Sequence, residues 1–308
     1  MGQSGKWTRS VCALAAAASL AACGSEGTLL VQPVEFTGPV TSADYIGKTF
    51  PVFFLLGESG DPSARTFAGE GTITYNSADS VTLRLPGASA VTLTRSGSSA
   101  LGTSYSGLTD GSDPVEVLVS DFASTEAFRL ISTADPDLTV LGGFGFETAF
   151  DDRPASGTYS TAGAVFLTAE NVSAFLPAAG SGTLTADFVN GDISGTLLDA
   201  DPVAVALAGD NLTPDDLAMT FFLENGVITQ AGFRGGVGVS AELVVDGSGP
   251  PVVLGTTVTG DGAEGAFYGD AAEVVAGTFE ADVRLTDSGG TLVDLDTAGL
   301  VSGGRTGP

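Results

Sequence analysis

Short runs of alternating apolar and polar residues, separated by turn-forming residues, constrain the fold of this chain more than any other feature. The clearest example is the alternation over residues 183–189 and 192–197, which flanks Asn190-Gly191. Asn-Gly between two alternating runs is a strong signal for a β-hairpin, because the turn requires positive φ angles. A period of two places the apolar residues of each run on one face. The sequence therefore predicts an antiparallel hairpin here.

The same pattern continues through the second half of the chain. A second Asn-Gly pair, Asn225-Gly226, predicts another hairpin that would join residues 219–224 to residues 227–230. Alternation over residues 217–223 favours a strand there, although Thr213-Pro214 is also typical of a helix start. The strand-like runs after residue 156 are numerous enough to close a barrel of about eight strands. We therefore predict an eight-stranded antiparallel β-barrel over residues 151–308.

The first half of the chain predicts a smaller antiparallel sheet unit. Its first strand is a continuous apolar run at residues 52–56, which is typical of a strand buried on both faces. Charged residues and proline interrupt the β pattern at residues 150–156, so we place a domain boundary there. The predicted fold class is all-β, with a small N-terminal sheet unit over residues 23–150 followed by the barrel. The other strand-like runs of this unit are residues 72–75, 81–85, 91–94, 115–119 and 127–131.

Residues 1–22 have the composition of a secretory signal peptide. Lys6 and Arg9 precede an apolar stretch at residues 11–22, which is too short to span a bilayer. The stretch runs into Leu-Ala-Ala-Cys, which resembles the bacterial lipobox, in which cleavage precedes the cysteine and the cysteine is acylated. This resemblance implies acyl chains such as palmitate on Cys23, enough for stable membrane anchoring. Gly24 follows the cysteine at the position where an inner-membrane retention signal would have Asp, which favours delivery to the outer membrane. The alternative to a lipobox is an ordinary signal peptide that happens to contain a cysteine.

The composition excludes several classes of function. The chain has 11 Lys and Arg against 37 Asp and Glu, a formal charge of -26. Loss of Lys6 and Arg9 with the leader makes the charge -28, so a nucleic-acid backbone would be repelled. The absence of histidine removes Ser-His-Asp and Cys-His nucleophilic pairs, imidazole zinc sites and His-ligated haem. We therefore expect no enzyme, and partners with basic surfaces whose binding weakens with salt.

Two kinds of small-ligand site remain to be weighed. Paired carboxylates can perform acid-base chemistry or bind calcium, but adjacent acids beside Pro, Gly or Ala are typical of solvated turns, and none fits the EF-hand spacing. Tyrosinate or thioether ligands could hold haem iron, but these residues are more typical of a core. We therefore predict no catalytic residue, no metal ligand and no cofactor. The carboxylate candidates are Asp151 with Asp152, Asp215 with Asp216, and Asp199 with Asp201; the haem candidates are Tyr45, Tyr75, Tyr105, Tyr159, Tyr268 and Met219.

Residues 265–280 carry the most specific pattern in the chain, Gly-Ala-Phe-Tyr-Gly-Asp-Ala-Ala-Glu-Val-Val-Ala-Gly-Thr-Phe-Glu. Within it, Asp270 is expected to cap a short helical turn with Glu273 reaching back. Gly277 would let the chain bend into a closing strand. The segment resembles the barrel signature of transferrin-binding protein B and related surface lipoproteins.

The resemblance covers roughly residues 140–300, with weaker agreement at residues 143–148 and 156–159. It implies that the unit before the barrel is the handle of that family, and that this chain has the length of a single lobe. The implied function is that of a non-catalytic outer-membrane lipoprotein, which binds a transferrin-like protein or another iron- or haem-bearing ligand. The family's contact loops follow no short motif, so no binding residue is implied.

A second interpretation of function stays open. The chain is then a structural or envelope-interaction lipoprotein that binds divalent cations weakly through its many acids. Both interpretations place it on the outer membrane through a lipid anchor, and leave open whether it faces the cell surface or the periplasm. We expect the barrel to be filled by side chains rather than inserted in lipid, because the mature chain lacks aromatic girdles.

Overall fold

The computed structural model describes residues 33–58, 66–85, 89–108, 114–122, 125–133, 138–169, 176–205, 215–244, 252–286 and 292–307. The described chain is all-β, as predicted, with 3-10 turns at Ser42–Tyr45 and Phe150–Asp152. Within those ranges, no helix is long and apolar enough to cross a membrane. The strands are β1 Thr49–Glu58, β2 Thr66–Ser77, β3 Ser80–Arg84, β4 Val91–Ser99, β5 Gly102–Leu108, β6 Pro114–Phe122, β7 Thr125–Thr133, β8 Leu138–Gly145, β9 Ser156–Ala169, β10 Leu176–Asp187, β11 Asp192–Val205, β12 Asp215–Thr229, β13 Gly232–Val244, β14 Val252–Val253, β15 Gly255–Tyr268, β16 Val274–Thr286 and β17 Leu292–Gly307.

The first eight strands form a closed antiparallel barrel. Each strand pairs with its neighbour in the sequence, and β1 pairs with β8 to complete the ring. The unit is therefore larger than the predicted small sheet. Two of its strands, β5 and β8, carry weak sequence signals: in β5, Tyr105 is the only buried residue among Gly, Ser and Thr, and Gly142 and Gly143 interrupt the apolar pattern of β8.

The second half forms the predicted eight-stranded barrel. The strand order is β12-β11-β10-β9-β17-β16-β15-β13, and pairing of β12 with β13 closes it. The short β14 pairs with the end of β13. The interior of this barrel is a continuous apolar core, which includes Met219, Phe221 and Phe279. Side chains that are at most 8% exposed fill both barrels.

The two Asn-Gly pairs have different structures. Asn190 and Gly191 lie in the turn between β10 and β11, as predicted, although β10 ends at Asp187 and only Gly191 of the pair has a positive φ, 77°. The hairpin prediction at Asn225-Gly226 is wrong. Asn225 has a φ of 49° and forms a bulge inside the continuous strand β12. A Cβ on Gly226 would collide with the carbonyl oxygen of Ile193, so glycine permits close packing of β11 against this bulge.

The strand connections divide into two ends. At one end, here called the short-turn end, the connections include Ala78–Asp79, Ala100–Leu101 and Gln230–Ala231. At the opposite end, the long-connection end, the chain between strands is longer, as at residues 59–65, 170–175 and 206–214. Strand β8 finishes at the short-turn end of the first barrel, and β9 begins at the short-turn end of the second. The two barrels therefore point in the same direction.

The barrels pack side by side through their outer walls. One apolar cluster joins Phe53 and Phe128 of the first barrel to Tyr268 and Val274 of the second. A second cluster, nearer the long-connection end, joins Leu55 to Phe166, Ala298 and Leu300. Aromatic contact is close in the first cluster, where the ring centroids of Phe128 and Tyr268 lie 4.7 Å apart. Burial of this apolar area stabilises the side-by-side arrangement.

Candidate functional site

The segment that carries the sequence signature forms the turn between β15 and β16. The chain reverses through Gly269, Ala271 and Ala272, whose φ angles are 81°, 48° and 56°. Consecutive left-handed residues do not form a helical turn, so the predicted Asp270 cap is wrong. Alanine rarely adopts positive φ, and surrounding contacts must hold the turn.

Thr148, from the linker between the barrels, supplies two of those contacts. Its side-chain oxygen Oγ1 donates a hydrogen bond to the carbonyl oxygen of Gly269 at 2.7 Å and accepts one from the N–H of Ala272 at 3.2 Å. The backbone N–H of Thr148 also donates to the carbonyl oxygen of Phe267 at 2.8 Å. Thr148 is only 3% exposed, so the turn is bonded to the linker in a dry environment.

Two residues of the second barrel hold the same turn from the other side. The Tyr159 hydroxyl donates to the carbonyl oxygen of Ala272 at 2.9 Å, and Nη1 of Arg305 donates to that of Ala271 at 2.6 Å. Desolvation raises the pKa of Tyr159, which keeps the hydroxyl protonated as a donor. The signature segment is thus a structural joint between the barrels.

The signature glycines have a packing role in this joint. A Cβ on Gly265 would collide with the carbonyl oxygen of Ala276 and the ring of Phe233. A Cβ on Gly277 would collide with the carbonyl oxygen of Glu264. The prediction that Gly277 lets the chain bend into a closing strand is wrong, because Gly277 pairs in regular register within β16. Glycine is needed there because β15 and β16 approach closely.

A groove of about 770 Å³ opens beside this joint at the short-turn end. It lies between the N-terminal segment at residues 35–40, the start of β7, the inter-barrel linker and the β15–β16 turn. The residues that line it include five acids and no lysine or arginine. A wall of one charge sign concentrates counter-ions and cationic groups. We call this feature the acidic groove, and its acids are Glu35, Glu126, Asp152, Asp270 and Glu273.

Arg153, which follows Asp152 in the sequence, forms its hydrogen bonds outside the acidic groove. Arg153 donates through Nη1 to the carbonyl oxygen of Thr229 at 2.8 Å and through Nη2 to that of Gln230 at 3.0 Å. Its guanidinium also lies 5.2 Å from the ring centroids of Phe150 and Phe267. Burial lowers the pKa of Arg153, although the nearby Glu147 opposes the shift. Arg153 therefore ties the linker to the second barrel.

A buried arginine secures the N-terminal segment on the first barrel. The guanidinium of Arg129 lies 4.2 Å from the ring centroid of Tyr45 and pairs with Asp121 at 3.1 Å. Tyr45 follows the N-terminal segment, is fully buried, and donates its hydroxyl to the carbonyl oxygen of Glu126 at 2.8 Å. Nine residues earlier in the chain, the N–H of Phe36 donates a hydrogen bond to the carbonyl oxygen of Glu147. The segment is therefore held across the short-turn end.

The haem candidates do not converge on one site. Tyr45, Tyr75 and Tyr105 lie in the core of the first barrel, whereas Tyr159 and Met219 lie in the core of the second. Tyr268 lies between the barrels. Each is at most 3% exposed, and desolvation is the main cause that raises the pKa of Tyr45, Tyr75, Tyr105 and Tyr159. These residues act as core aromatics and aliphatics, with no shared exposed face.

The predicted carboxylate pairs lie apart on the surface and at strand ends. Asp151 and Asp152 belong to the 3-10 turn of the linker, and of the two only Asp152 lines the acidic groove. Asp199 accepts a hydrogen bond from the Thr220 hydroxyl at 2.8 Å on the outer wall of β11. Asp215 and Asp216 begin β12. No cluster of three or more potential metal ligands occurs in the part of the chain that the structure describes.

A second cleft lies on the outer wall of the second barrel. It has a volume of about 590 Å³, and its lining includes Arg234, Glu264 and Glu280 beside the bulges of β12 and β15. Although Glu264 is exposed as a residue, desolvation by the cleft wall raises the pKa of its carboxyl. No sequence pattern predicts either groove, because the lining of each comes from several separate segments. Cys23, the predicted lipid-attachment residue, lies outside the described residues.

Comparison with known proteins identifies only distant similarity. No family model and no curated protein matches the chain. Among solved structures, a double mutant of transferrin-binding protein B from Haemophilus parasuis is 14% identical, with a TM-score of 0.43 over 83% of this chain and 45% of that one. The protein from Neisseria meningitidis is 14% identical, with a TM-score of 0.41 over 83% and 43%. Intact Ap-TbpB, with its N and C lobes, is 14% identical, with a TM-score of 0.42 over 83% of this chain and 46% of that one.

This chain spans less than half the length of each of these structures. With identities this low, we take the fold from the strand pairing of the chain itself: two closed antiparallel barrels, joined by a buried turn.

Proposed function

We propose that this chain is a non-catalytic binding protein of the outer membrane, anchored by lipid at Cys23, which binds a macromolecular ligand through its outer surface. One observation carries the proposal: the side chains that fill both barrels are at most 8% exposed, and most of them are apolar. A filled barrel is a rigid support, and binding then falls to its rims and outer walls. This separates the chain from carriers that enclose a small ligand within the barrel.

The net charge favours a partner with a basic surface. The acidic groove adds a local concentration of carboxylates at the short-turn end. Such complementarity raises the association rate and fades as salt screens the charges. The narrower proposal, that the ligand is a transferrin-like protein or another iron- or haem-bearing molecule, rests on the resemblance of residues 265–280 alone.

The test uses the full mature chain with Cys23→Ser, which keeps it free of lipid. Binding of iron-loaded transferrin and of haem is measured by interferometry at low and high salt. Saturable binding of either, weaker in high salt for the protein ligand, supports the proposal. A flat response to both ligands refutes the iron-carrier version. The macromolecular version is refuted if the chain also captures no protein saturably from extracellular medium.

The anchor is tested separately in cells. Labelled palmitate should enter the natural chain and be absent from Cys23→Ser, which should also leave the membrane fraction. Equal labelling of both chains contradicts attachment at Cys23.

A second candidate function is favoured by the acidic groove itself. Five acids without a lysine or arginine among the lining residues can hold divalent cations diffusely, as an envelope-bridging lipoprotein would. Calcium titration should then raise the urea midpoint of the natural chain. Glu126→Gln with Asp270→Asn should reduce that gain, while Asp199→Asn, on the outer wall, leaves it unchanged. A midpoint unaffected by calcium rejects this function.

A further inference from the structure

We propose that the second barrel binds an extended segment of a partner protein, rich in lysine or arginine, which adds as a strand between β13 and β15. This inference rests on the proposed function, because it names the part of the outer surface that binds a macromolecular ligand. It adds the chemistry of the segment that enters. The site is separate from the acidic groove.

The wall of the second barrel is incomplete between β13 and β15. These two strands pair with each other only at residues 233–235 and 263–265. By contrast, β13 pairs with β12 along nearly its whole length, and β15 does the same with β16. Beyond the short paired stretch, the facing edges of β13 and β15 are therefore not joined by a ladder.

The two strands meet again near the long-connection end, where the N–H of Leu254 donates to the carbonyl oxygen of Ala241 at 3.0 Å. Between the two meeting points, residues 236–240 of β13 lie opposite residues 255–262, nearly all of them in β15. Five residues cannot pair one to one with eight, as a regular ladder requires. We call this interval the β13–β15 gap. A strand edge without a ladder is a template for pairing with another chain.

The barrel interior is incompletely covered at the β13–β15 gap. Val239 of β13 and Val258 of β15 pack against the core but are only partly buried. The carbonyl oxygen of Val239 accepts a hydrogen bond from Oγ1 of Thr256 at 2.9 Å. A side chain therefore spans the gap here, in place of a backbone hydrogen bond between the strands.

The cleft of about 590 Å³ opens where the two strands separate. Its lining combines Arg234 and Glu264, which are exposed, with Ala263 and Phe279, which belong to the core. Residues from both faces of the sheet line the same cleft. The cleft therefore enters the barrel wall at one end of the β13–β15 gap.

The charges beside the gap favour a cationic segment. Within the described residues, the carboxylate of Glu264 forms no hydrogen bond or ion pair, although Arg234 is its register partner. Desolvation raises the pKa of Glu264, which no neighbouring cation offsets. Glu242 and Asp282 are also exposed on the strands around the gap. An incoming lysine or arginine would supply the missing counter-charge, whereas an anionic segment would be repelled.

Strand addition uses the open edge and the charges together. An extended segment can pair with the backbone of β15 within the gap and continue the sheet. Its side chains would point alternately to the two faces. Those that point outward would reach Glu264 and Asp282, and those that point inward would cover Val239 and Val258. The geometry therefore fits a segment in which lysine or arginine alternates with apolar residues.

The probe is a capped hexapeptide in which lysine alternates with valine. One control peptide has glutamate in place of lysine. A second control has proline in place of the central valine, which removes a backbone N–H and disrupts pairing in a ladder. Binding to the full mature chain with Cys23→Ser is measured by calorimetry. Hydrogen exchange followed by mass spectrometry locates the bound peptide.

We expect saturable binding of the lysine–valine peptide, with slower hydrogen exchange at residues 255–262. The proline peptide should bind about tenfold more weakly, and the glutamate peptide should not bind. Glu264→Gln should weaken binding by about twofold to fivefold, the effect of one exposed ion pair, and Arg234→Gln should strengthen it. Asp199→Asn, which changes a carboxylate on the outer wall of β11, should leave binding unchanged.

Equal binding of the lysine–valine and proline peptides overturns strand addition. No binding of the lysine–valine peptide, or slower exchange only outside residues 255–262, overturns the site. The proposed function is tested apart from this result. A chain that binds a protein ligand saturably but not the peptide keeps that function and loses this site, whereas peptide binding at the gap without any protein ligand does the reverse.

Discussion

Thr148 provides the sharpest test of the joint between the barrels. Thr148→Val keeps the shape of the side chain but removes the hydroxyl that bonds Gly269 at 2.7 Å and Ala272 at 3.2 Å. One buried carbonyl and one buried N–H then lose their partners. Each unsatisfied group costs about 1–3 kcal/mol, so we expect the free energy of unfolding to fall by about 2–6 kcal/mol. That is a large part of the 5–15 kcal/mol typical of folded domains.

The matched controls separate the hydroxyl from its surroundings. Thr148→Ser keeps the hydroxyl and loses one methyl group, which costs about 1 kcal/mol. Thr220→Val removes a hydroxyl that bonds the exposed carboxylate of Asp199 and should cost less than about 1 kcal/mol. Urea unfolding followed by circular dichroism measures all three. We expect one transition for both barrels, because the joint and the apolar clusters connect them.

The reasoning is refuted if Thr148→Val is as stable as Thr148→Ser. It is also refuted if Thr148→Val unfolds one barrel and leaves the midpoint of the other unchanged, since both barrels hold the turn.

Three further substitutions test the packing and the surface charges of the second barrel. Gly277→Ala places a Cβ against the carbonyl oxygen of Glu264 and should lower the free energy of unfolding by at least about 2 kcal/mol. In the control Gly262→Ala, no atom lies within 4 Å of the new Cβ, so the free energy of unfolding should change by less than about 0.5 kcal/mol. Equal urea midpoints for the two variants would contradict the packing argument. Desolvation and Asp296 raise the pKa of Asp282, so its stability contribution is lost as pH rises above 3.8, and Asp282→Asn should raise the urea midpoint at pH 7 with no gain at lower pH. A hydrogen bond from Arg284 lowers the pKa of Asp294, so Asp294→Asn should lower the urea midpoint at pH 7, and this decrease should become smaller below pH 3.8. If Asp282→Asn and Asp294→Asn change the midpoint at pH 7 in the same direction, these pKa shifts are misassigned.

Strand alternation was sufficient to predict the second barrel because each of its signals is local. The hairpin around Gly191 needs only its own turn and two flanking runs. Asn225-Gly226 is the same dipeptide but forms a bulge: β12 continues to pair with β13 beyond it, with a shift in register, and glycine avoids a collision with β11. That outcome depends on neighbouring strands, which a dipeptide does not encode. The first barrel was underestimated for a related reason, since β5 offers Tyr105 as its one buried residue.

The candidate site could not be predicted from sequence because its charge is assembled from four distant segments. Glu35, Glu126, Asp152 and Asp270 are separated by tens of residues or more, and none stands out among 37 acids. They converge because Thr148 and the left-handed turn bring the linker, the N-terminal segment and β16 to one end. The signature at residues 265–280 is thus informative about architecture and silent about the ligand. Substitutions within this joint should therefore lower the free energy of unfolding. They should weaken ligand binding only where they displace the acids of the acidic groove.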